Sequence, residues 1–409
     1  MRFNAVKVAG RHDLIRHVLR IAGVALFMLV IGVALAWVTS PDPRGNPASF
    51  EADPLVPMIA PLDRAVTLAQ RRRADGSVAT YLVVGMAEGQ IRAIDLAELG
   101  APQTDNPFAA LAALDEAALR PARLADAPIL GFAISELLPA AGAGTHHIAT
   151  GTNFAAHAEE AGSGSVFQFP KFGAASAAHT TVRADSDILL DYEVELCLRF
   201  DRAITSLTDF DAATKGLFLC GDFTDRAMLA RMADPGNLDS GYGFSDAKSR
   251  ADFFPSGALL VIPRDLGAFV AAERFTTSVN GQPRQDARGG EMTLDFRGLM
   301  EKALADMDRP RFRYQGSNHR LAPGGRVTAD TVLMSGTAEG VIFTPPTRSD
   351  MIEGLLEWAG SGARLSLRDA VVERFIANEQ ASGHFLQPGD VVEFASTHLG
   401  TIRVVVTRQ

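Results

Sequence analysis

The run Asp191-Tyr192-Glu193-Val194-Glu195-Leu196 constrains this chain most, because strand alternation puts two acids on the face that should point inward. Side chains two apart on a strand share a face, ~6.6 Å apart along it. Flanked by Val194, Leu196 and Leu198, two ionised carboxylates there repel each other and resist desolvation. A cation between them removes both penalties. The pattern recurs in Leu217-Phe218-Leu219-Cys220-Gly221-Asp222-Phe223, an apolar run holding one carboxylate. Glu193, Glu195 and Asp222 therefore make an oxygen-ligand set suited to Mg²⁺ or Mn²⁺. On a solvated edge strand the same acids would be ordinary surface residues. Their neighbours decide.

Upstream lies Gly151-Thr152-Asn153-Phe154-Ala155-Ala156-His157-Ala158-Glu159-Glu160, and downstream Gly336-Thr337-Ala338-Glu339-Gly340-Val341. Between them Val279-Asn280-Gly281 is followed by Arg284-Gln285. In this order the segments resemble the fumarylacetoacetate hydrolase family, from about Thr152 to the C terminus. The resemblance implies a β-rich α+β catalytic domain of the β-roll type behind a small N-terminal β-domain, and a homodimer. It implies that Glu193, Glu195 and Asp222 bind Mg²⁺ or Mn²⁺, and that His157 and Glu160, on a lid helix, activate water. Phe169-Pro170-Lys171 matches the family's F-x-K segment, and Lys248 with Pro255 a second lysine followed seven residues later by proline. Arg226, four residues after the metal aspartate, is implied in substrate binding. Gly336-Thr337 would hold a substrate carboxylate with its backbone and hydroxyl.

Departures from the pattern bear on the substrate. Gly221 stands where the family has Asn, Pro255-Ser256-Gly257-Ala258 replaces P-x-G-P, and Ala338 replaces the proline of G-T-P. Thr150 stands where animal members carry a fourth acidic ligand, so the three-carboxylate bacterial type is the better match.

At 409 residues with a net charge of −9, the chain is long enough for a sizeable core and carries no basic excess for nucleic acid. Two cysteines exclude a disulfide framework. Cys197 follows Glu195 by two residues and Cys220 precedes Asp222 by two. They read as small buried thiols, or as a disulfide if the strands are neighbours in an oxidising compartment. Residues 21–38, Ile21 to Val38, form an unbroken apolar run behind Arg2, Lys7, Arg11, Arg16 and Arg20. Its length reaches the lower limit of about 17 residues for a membrane span, and the basic residues 1–20 should stay cytoplasmic. Ala34-Leu35-Ala36 also fits a signal-peptidase site. A retained anchor and a cleaved signal both export the rest of the chain.

Residues 39–60 read as a linker and 61–145 as the small β-domain, with strands near Val66 to Leu68, Tyr81 to Gly85 and Ile91 to Leu96 and an Ala-rich helix at Phe108 to Leu119. Residues 146–409 read as the catalytic domain, including a helix over Asp295 to Met307 with an apolar side. Family members run quickly from the G-T turn to a final L-x-P-G-D strand, here Leu386-Gln387-Pro388-Gly389-Asp390. This chain inserts residues 345–382, with amphipathic helices near Asp350 to Trp358 and Ser366 to Glu379. Core packing is the default role of their stripes Met351/Leu355/Trp358 and Leu367/Val371/Phe375.

Adjacent His146 and His147 would face opposite ways on a strand and share no ion. His179, His319, His384 and His398 lack partners at ligand spacing. His157 differs because Glu160 sits one helical turn away, placed to hold the ring and raise its basicity. Spacing alone gives a metal site with a nearby base; the family resemblance implies a metal-dependent hydrolase acting on a C–C bond of a small β-diketo or acylpyruvate-type acid. Decarboxylation or tautomerisation of a 2-oxo acid, or dehydration of a sugar acid, uses the same site. An exported non-catalytic binding protein is the reading from another class.

Overall fold

The computed structural model describes residues 6–115, 117–362 and 364–408. They form two compact units. One joins the chain up to Pro43 to Pro345–Ala381, and the other comprises Arg44–Thr344 with Ser382 onward.

The first unit begins with α1 (Val6–Val38). Its Leu14–Val38 stretch has 25 residues and holds an 18-residue window of mean hydropathy 2.6 with no buried part, so it is long and apolar enough to cross a membrane. The same stretch would fit a signal sequence.

In the larger unit, β1 (Ala65–Arg72), β2 (Val78–Ala87), β3 (Gln90–Asp95) and β4 (Leu130–Ala133) make an antiparallel meander, with α2 (Pro107–Ala112) and α3 (Pro121–Ala125) before β4. The expected Ala-rich helix is shorter than 108–119. Asp115 accepts from the Ala118 backbone N–H at 2.8 Å, offering the chain a turn in place of further helix. There follow β5 (His146–Gly151), α4 (Ala155–Glu160), β6 (Phe167–Phe172), β7 (His179–Arg183), β8 (Leu190–Asp191), β9 (Val194–Phe200), α5 (Leu207–Ala212), β10 (Lys215–Gly221) and β11 (Thr224–Asp225). Next come α6 (Arg226–Met232), α7 (Phe244–Lys248), β12 (Leu259–Pro263), α8 (Leu266–Ala272), β13 (Arg274–Val279), β14 (Gln282–Arg288) and α9 (Phe296–Asp306). The strands β15 (Phe312–Tyr314), β16 (Ser317–His319), β17 (Leu333–Met334), β18 (Val391–Ser396) and β19 (Gly400–Thr407) complete the unit.

A ten-stranded sheet runs β4-β3-β2-β1-β12-β10-β9-β17-β5-β6, and a five-stranded sheet β14-β13-β18-β19-β7. This is a mixed, sheet-rich α+β fold, as the sequence implied. Among the described residues, 61–145 add their strands to the ten-stranded sheet and form no separate one. Strand β1 pairs with β12, Leu68 opposite Leu260, and Tyr81, Val83 and Ile91 pack in one cluster with Leu259. Every residue of β9 is buried, Glu195 and Arg199 included. Helix α9 buries Phe296, Leu299 and Met300 on the predicted side, with Asp295 capping the Gly298 N–H at 2.8 Å.

The insertion forms α10 (Arg348–Gly360) and α11 (Leu367–Ser382), both close to their predicted bounds. Up to Ala381 it belongs to the first unit. Phe375 is buried as expected, whereas Met351 and Leu355 are exposed.

Candidate metal centre and active site

Glu193 and Asp222 lie at strand ends and not within strands. The chain leaves β8, which pairs with β11, and enters β9, which pairs with β10, and Glu193 occupies the two-residue switch between them. The expected single strand over 191–196 is thus two. Asp222 follows the last residue of β10, and its N–H donates to the Glu193 carbonyl at 2.9 Å. Glu195 stays in β9, opposite Cys220. One carboxylate oxygen from each of Glu193, Glu195 and Asp222 lies within 4.8 Å of the others, and all three residues are buried. They approach closely enough to share an ion.

Glu195 supplies the test of whether a cation fits. Its Oε2 accepts from the Gly336 N–H at 2.8 Å, while its buried Oε1 finds no hydrogen-bond partner among the described residues. Burial, then Asp222 and Glu193, push its pKa well above the usual range. A buried orphan oxygen among carboxylates is costly without a cation. A hard divalent ion with oxygen ligands removes that cost.

Cations of the chain hold the other two acids. Lys248 Nζ donates to Glu193 Oε2 at 2.7 Å and to Asp222 Oδ2 at 2.9 Å. Lys171 Nζ, on β6, donates to Asp222 Oδ1 at 2.6 Å and to the Lys248 carbonyl. Burial alone would raise the Glu193 pKa, but Lys248, Arg226 and His157 hold it down at about 2. Burial lowers the Lys171 pKa despite Asp222. At Lys248, burial is outweighed by Asp222 and Glu193, which raise it. Arg226 opens α6 and bridges Asp191 at 2.8 Å and Glu193 at 2.7 Å. In this state it positions the Glu193 carboxylate.

On α4, His157 Nδ1 meets Glu160 Oε2 at 2.9 Å, and Glu160 Oε1 accepts from the Gly340 N–H at 2.8 Å. A carboxylate only accepts, so Nδ1 carries the proton and Nε2 keeps the basic lone pair. Gly340 belongs to the same loop as Gly336-Thr337, so the His157–Glu160 pair and the turn are tied together. The turn needs its glycine: Gly336 has φ +81° and a Cβ there would sit 3.1 Å from the Thr150 carbonyl. The Thr337 hydroxyl donates to the Val194 carbonyl at 2.9 Å and accepts from Gln285 Nε2 at 2.9 Å. In this state the hydroxyl is committed to partners within the site.

Three residues were read from the sequence without a role. Asp191 accepts from Arg226 and from the Ile342 and Phe343 N–H groups. Gln285 braces Thr337 and the Ala338 carbonyl. Asn153 Nδ2 reaches the Ser335 and Leu294 carbonyls, pinning the entry to α4. The available signal was their place inside the quoted motifs. Cys197 and Cys220 form a disulfide with Cα atoms 6.0 Å apart, joining β9 to β10, the second of the two readings that the sequence left open.

Residues 146–407 match the model of the fumarylacetoacetate (FAA) hydrolase C-terminal domain. The chain belongs to the fumarylacetoacetate hydrolase family. It is therefore a metal-dependent enzyme of that fold. Among solved structures, it is similar to a probable 2-hydroxyhepta-2,4-diene-1,7-dioate isomerase from Mycobacterium abscessus, at 17% identity and a TM-score of 0.50, over 85% of this chain and 99% of that one. The fumarylacetoacetate hydrolase from Exiguobacterium antarcticum matches at 18% identity and a TM-score of 0.46, over 84% and 100%. No curated protein matches significantly. The family's Asn gives way to Gly221 here for a local reason: a Cβ would sit 2.6 Å from the Phe394 ring and 2.8 Å from Pro255 Cγ.

Proposed function

We propose that this fumarylacetoacetate hydrolase family member hydrolyses a C–C bond of a small β-diketo or acylpyruvate-type acid, with Mg²⁺ or Mn²⁺ held by Glu193, Glu195 and Asp222. The observation that carries the reading is the hydrogen-bonded His157–Glu160 pair beside a carboxylate cluster with an orphan oxygen. When bound, the ion supplies Lewis acidity toward the two oxygens of a chelating substrate. His157 Nε2 takes a proton from water, whose oxygen adds to the distal carbonyl carbon. The C–C bond then breaks, its electron pair passes to the pyruvate-side carbon as an enolate, and that carbon is reprotonated. Glu160 holds the ring and stabilises the imidazolium. Lys171 and Lys248 offset negative charge developing on substrate. The Gly336-Thr337 turn meets the substrate carboxylate once the Thr337 hydroxyl is released from Val194.

His157→Ala should lower hydrolysis by ~10²–10⁴-fold while leaving Mg²⁺ binding near its original strength. Near-normal turnover in that variant would shift the reading to isomerisation or decarboxylation, which needs no water nucleophile and which the isomerase fold neighbour makes the second choice.

The same proposal places α1 in the inner membrane, with the basic N terminus cytoplasmic and the catalytic unit outside. The Cys197–Cys220 disulfide supports this, since such bonds persist in oxidising compartments. A reporter fused after Pro57 should be active only outside the cytoplasmic membrane. Retention of the full chain in the membrane after a carbonate wash would speak for the anchor, and release of a shortened chain for a cleaved signal.

A further inference from the structure

Helix α10 is built inside out. Its side toward α11 carries Gly354, where a Cβ would lie 2.6 Å from Val371 Cα, and a polar network in which Asn378 Nδ2 donates to Asp350 at 2.7 Å and Glu353 at 3.0 Å. Arg374 of α11 adds an ion pair to Glu357 at 2.9 Å. The outward side is apolar: Met351, Leu355 and Leu356 are 52%, 47% and 66% exposed, and Trp358, on the stripe of Met351 and Leu355, is half-buried. Leu365 and Leu367, in the link to α11, are exposed as well, beside exposed Arg364 and Arg368. In water this is the reverse of an ordinary amphipathic helix, which turns its polar face outward.

Contacts within the same unit tie α10 to the end of α1. Trp37, in the last turn of α1, donates from Nε1 to Glu353 Oε1 at 2.8 Å, and the Ser349 N–H donates to Ser40 Oγ at 3.1 Å. Helix α10 is thereby fixed to the end of the apolar segment, where hydrocarbon gives way to headgroups and tryptophan concentrates. We propose that α10 rests its Met351/Leu355/Leu356/Trp358 surface on the bilayer that α1 crosses, as an interfacial helix. Arg364 and Arg368 then face anionic headgroups. The inference rests on α1 being a retained anchor.

The chain has two tryptophans, which makes the test direct. In the full chain reconstituted in phosphatidylcholine–phosphatidylglycerol vesicles, Trp37→Phe leaves Trp358 as the only indole and keeps the Ser40–Ser349 contact. Brominated acyl chains should then quench Trp358 emission by about twofold or more, as burial at the headgroup–acyl boundary requires. Adding Leu355→Asp and Leu356→Asp should remove most of that quenching. Trp358→Phe reports Trp37 alone. Quenching of Trp37 without Trp358 overturns the docking while sparing the anchor. Quenching of neither overturns the anchor and the inference with it. If Trp358 escapes quenching and its emission depends on the protein-to-lipid ratio, a second copy covers the face and the inference is wrong.

Discussion

Between β8 and the end of β10 the larger unit buries Asp191, Glu193, Glu195 and Asp222, whereas the outward side of α10 leaves Met351, Leu355 and Leu356 in the open. Each region contradicts the usual sorting of charge outward and hydrocarbon inward. The charged region answers most of its own cost, through Lys171, Lys248 and Arg226. What remains among the described carboxylates of that region is the orphan Oε1 of Glu195. The apolar region answers none of its cost within the chain. A folded chain tolerates buried charge only when counter-charge is fixed in place, but it tolerates exposed hydrocarbon without penalty to its own packing. The first exception therefore governs stability and chemistry, and the second governs location.

Five changes would break or sharpen that contrast. Glu195→Gln should lower activity by at least about 10³-fold by weakening the metal centre, yet leave the metal-free protein no less stable, since it removes an uncompensated charge. A large drop in the melting temperature of the metal-free variant would mean that the carboxylate is structural. Lys248→Met leaves Glu193 and Asp222 short of their ammonium, and should cost about 3–5 kcal/mol in denaturant unfolding, partly recovered by added Mg²⁺. An unchanged midpoint would contradict the balance of charges described above.

Reduction of Cys197–Cys220 releases a cross-link between residues 23 apart and should cost about 3 kcal/mol by loop entropy. Unfolding measured with and without reductant checks this.

His147 offers a buried ionisable group outside the cluster. Its Nδ1 accepts from the Val332 N–H at 3.2 Å and its Nε2 faces the Gly173 carbonyl at 3.1 Å, so a second proton has no place. Burial lowers its pKa from 6.5 to about 4. Between those values the unfolded chain binds more protons than the folded one, so stability rises with pH there. The contribution is complete above about pH 6.5 and lost as pH falls to about 4, a change of about 3 kcal/mol. His147→Leu should flatten that part of the stability–pH profile; an equally steep profile would assign the slope to other groups.

Leu355→Asp marks the small end of the scale. On an exposed face it should change stability in detergent by less than about 0.5 kcal/mol. A larger loss would mean that the side chain packs within the protein.

The sequence alone determined the family, the sheet-rich fold, the apolar N-terminal helix and the identities of the clustered acids, because each is written locally. Strand alternation, an ordered set of short motifs and a long apolar run need no partner to be read. Tertiary structure decided what those residues do to one another. That Arg226 braces Glu193, that the Thr337 hydroxyl points to Val194, and that Asp191 and Gln285 hold the site depends on segments up to about 150 residues apart, as in the Asp191–Ile342 hydrogen bond. The outward turn of Met351 and Leu355 was equally hidden. A periodic stripe records that a helix has an apolar side, but the polar network of Asp350, Glu353 and Asn378 chose which side faces its neighbour.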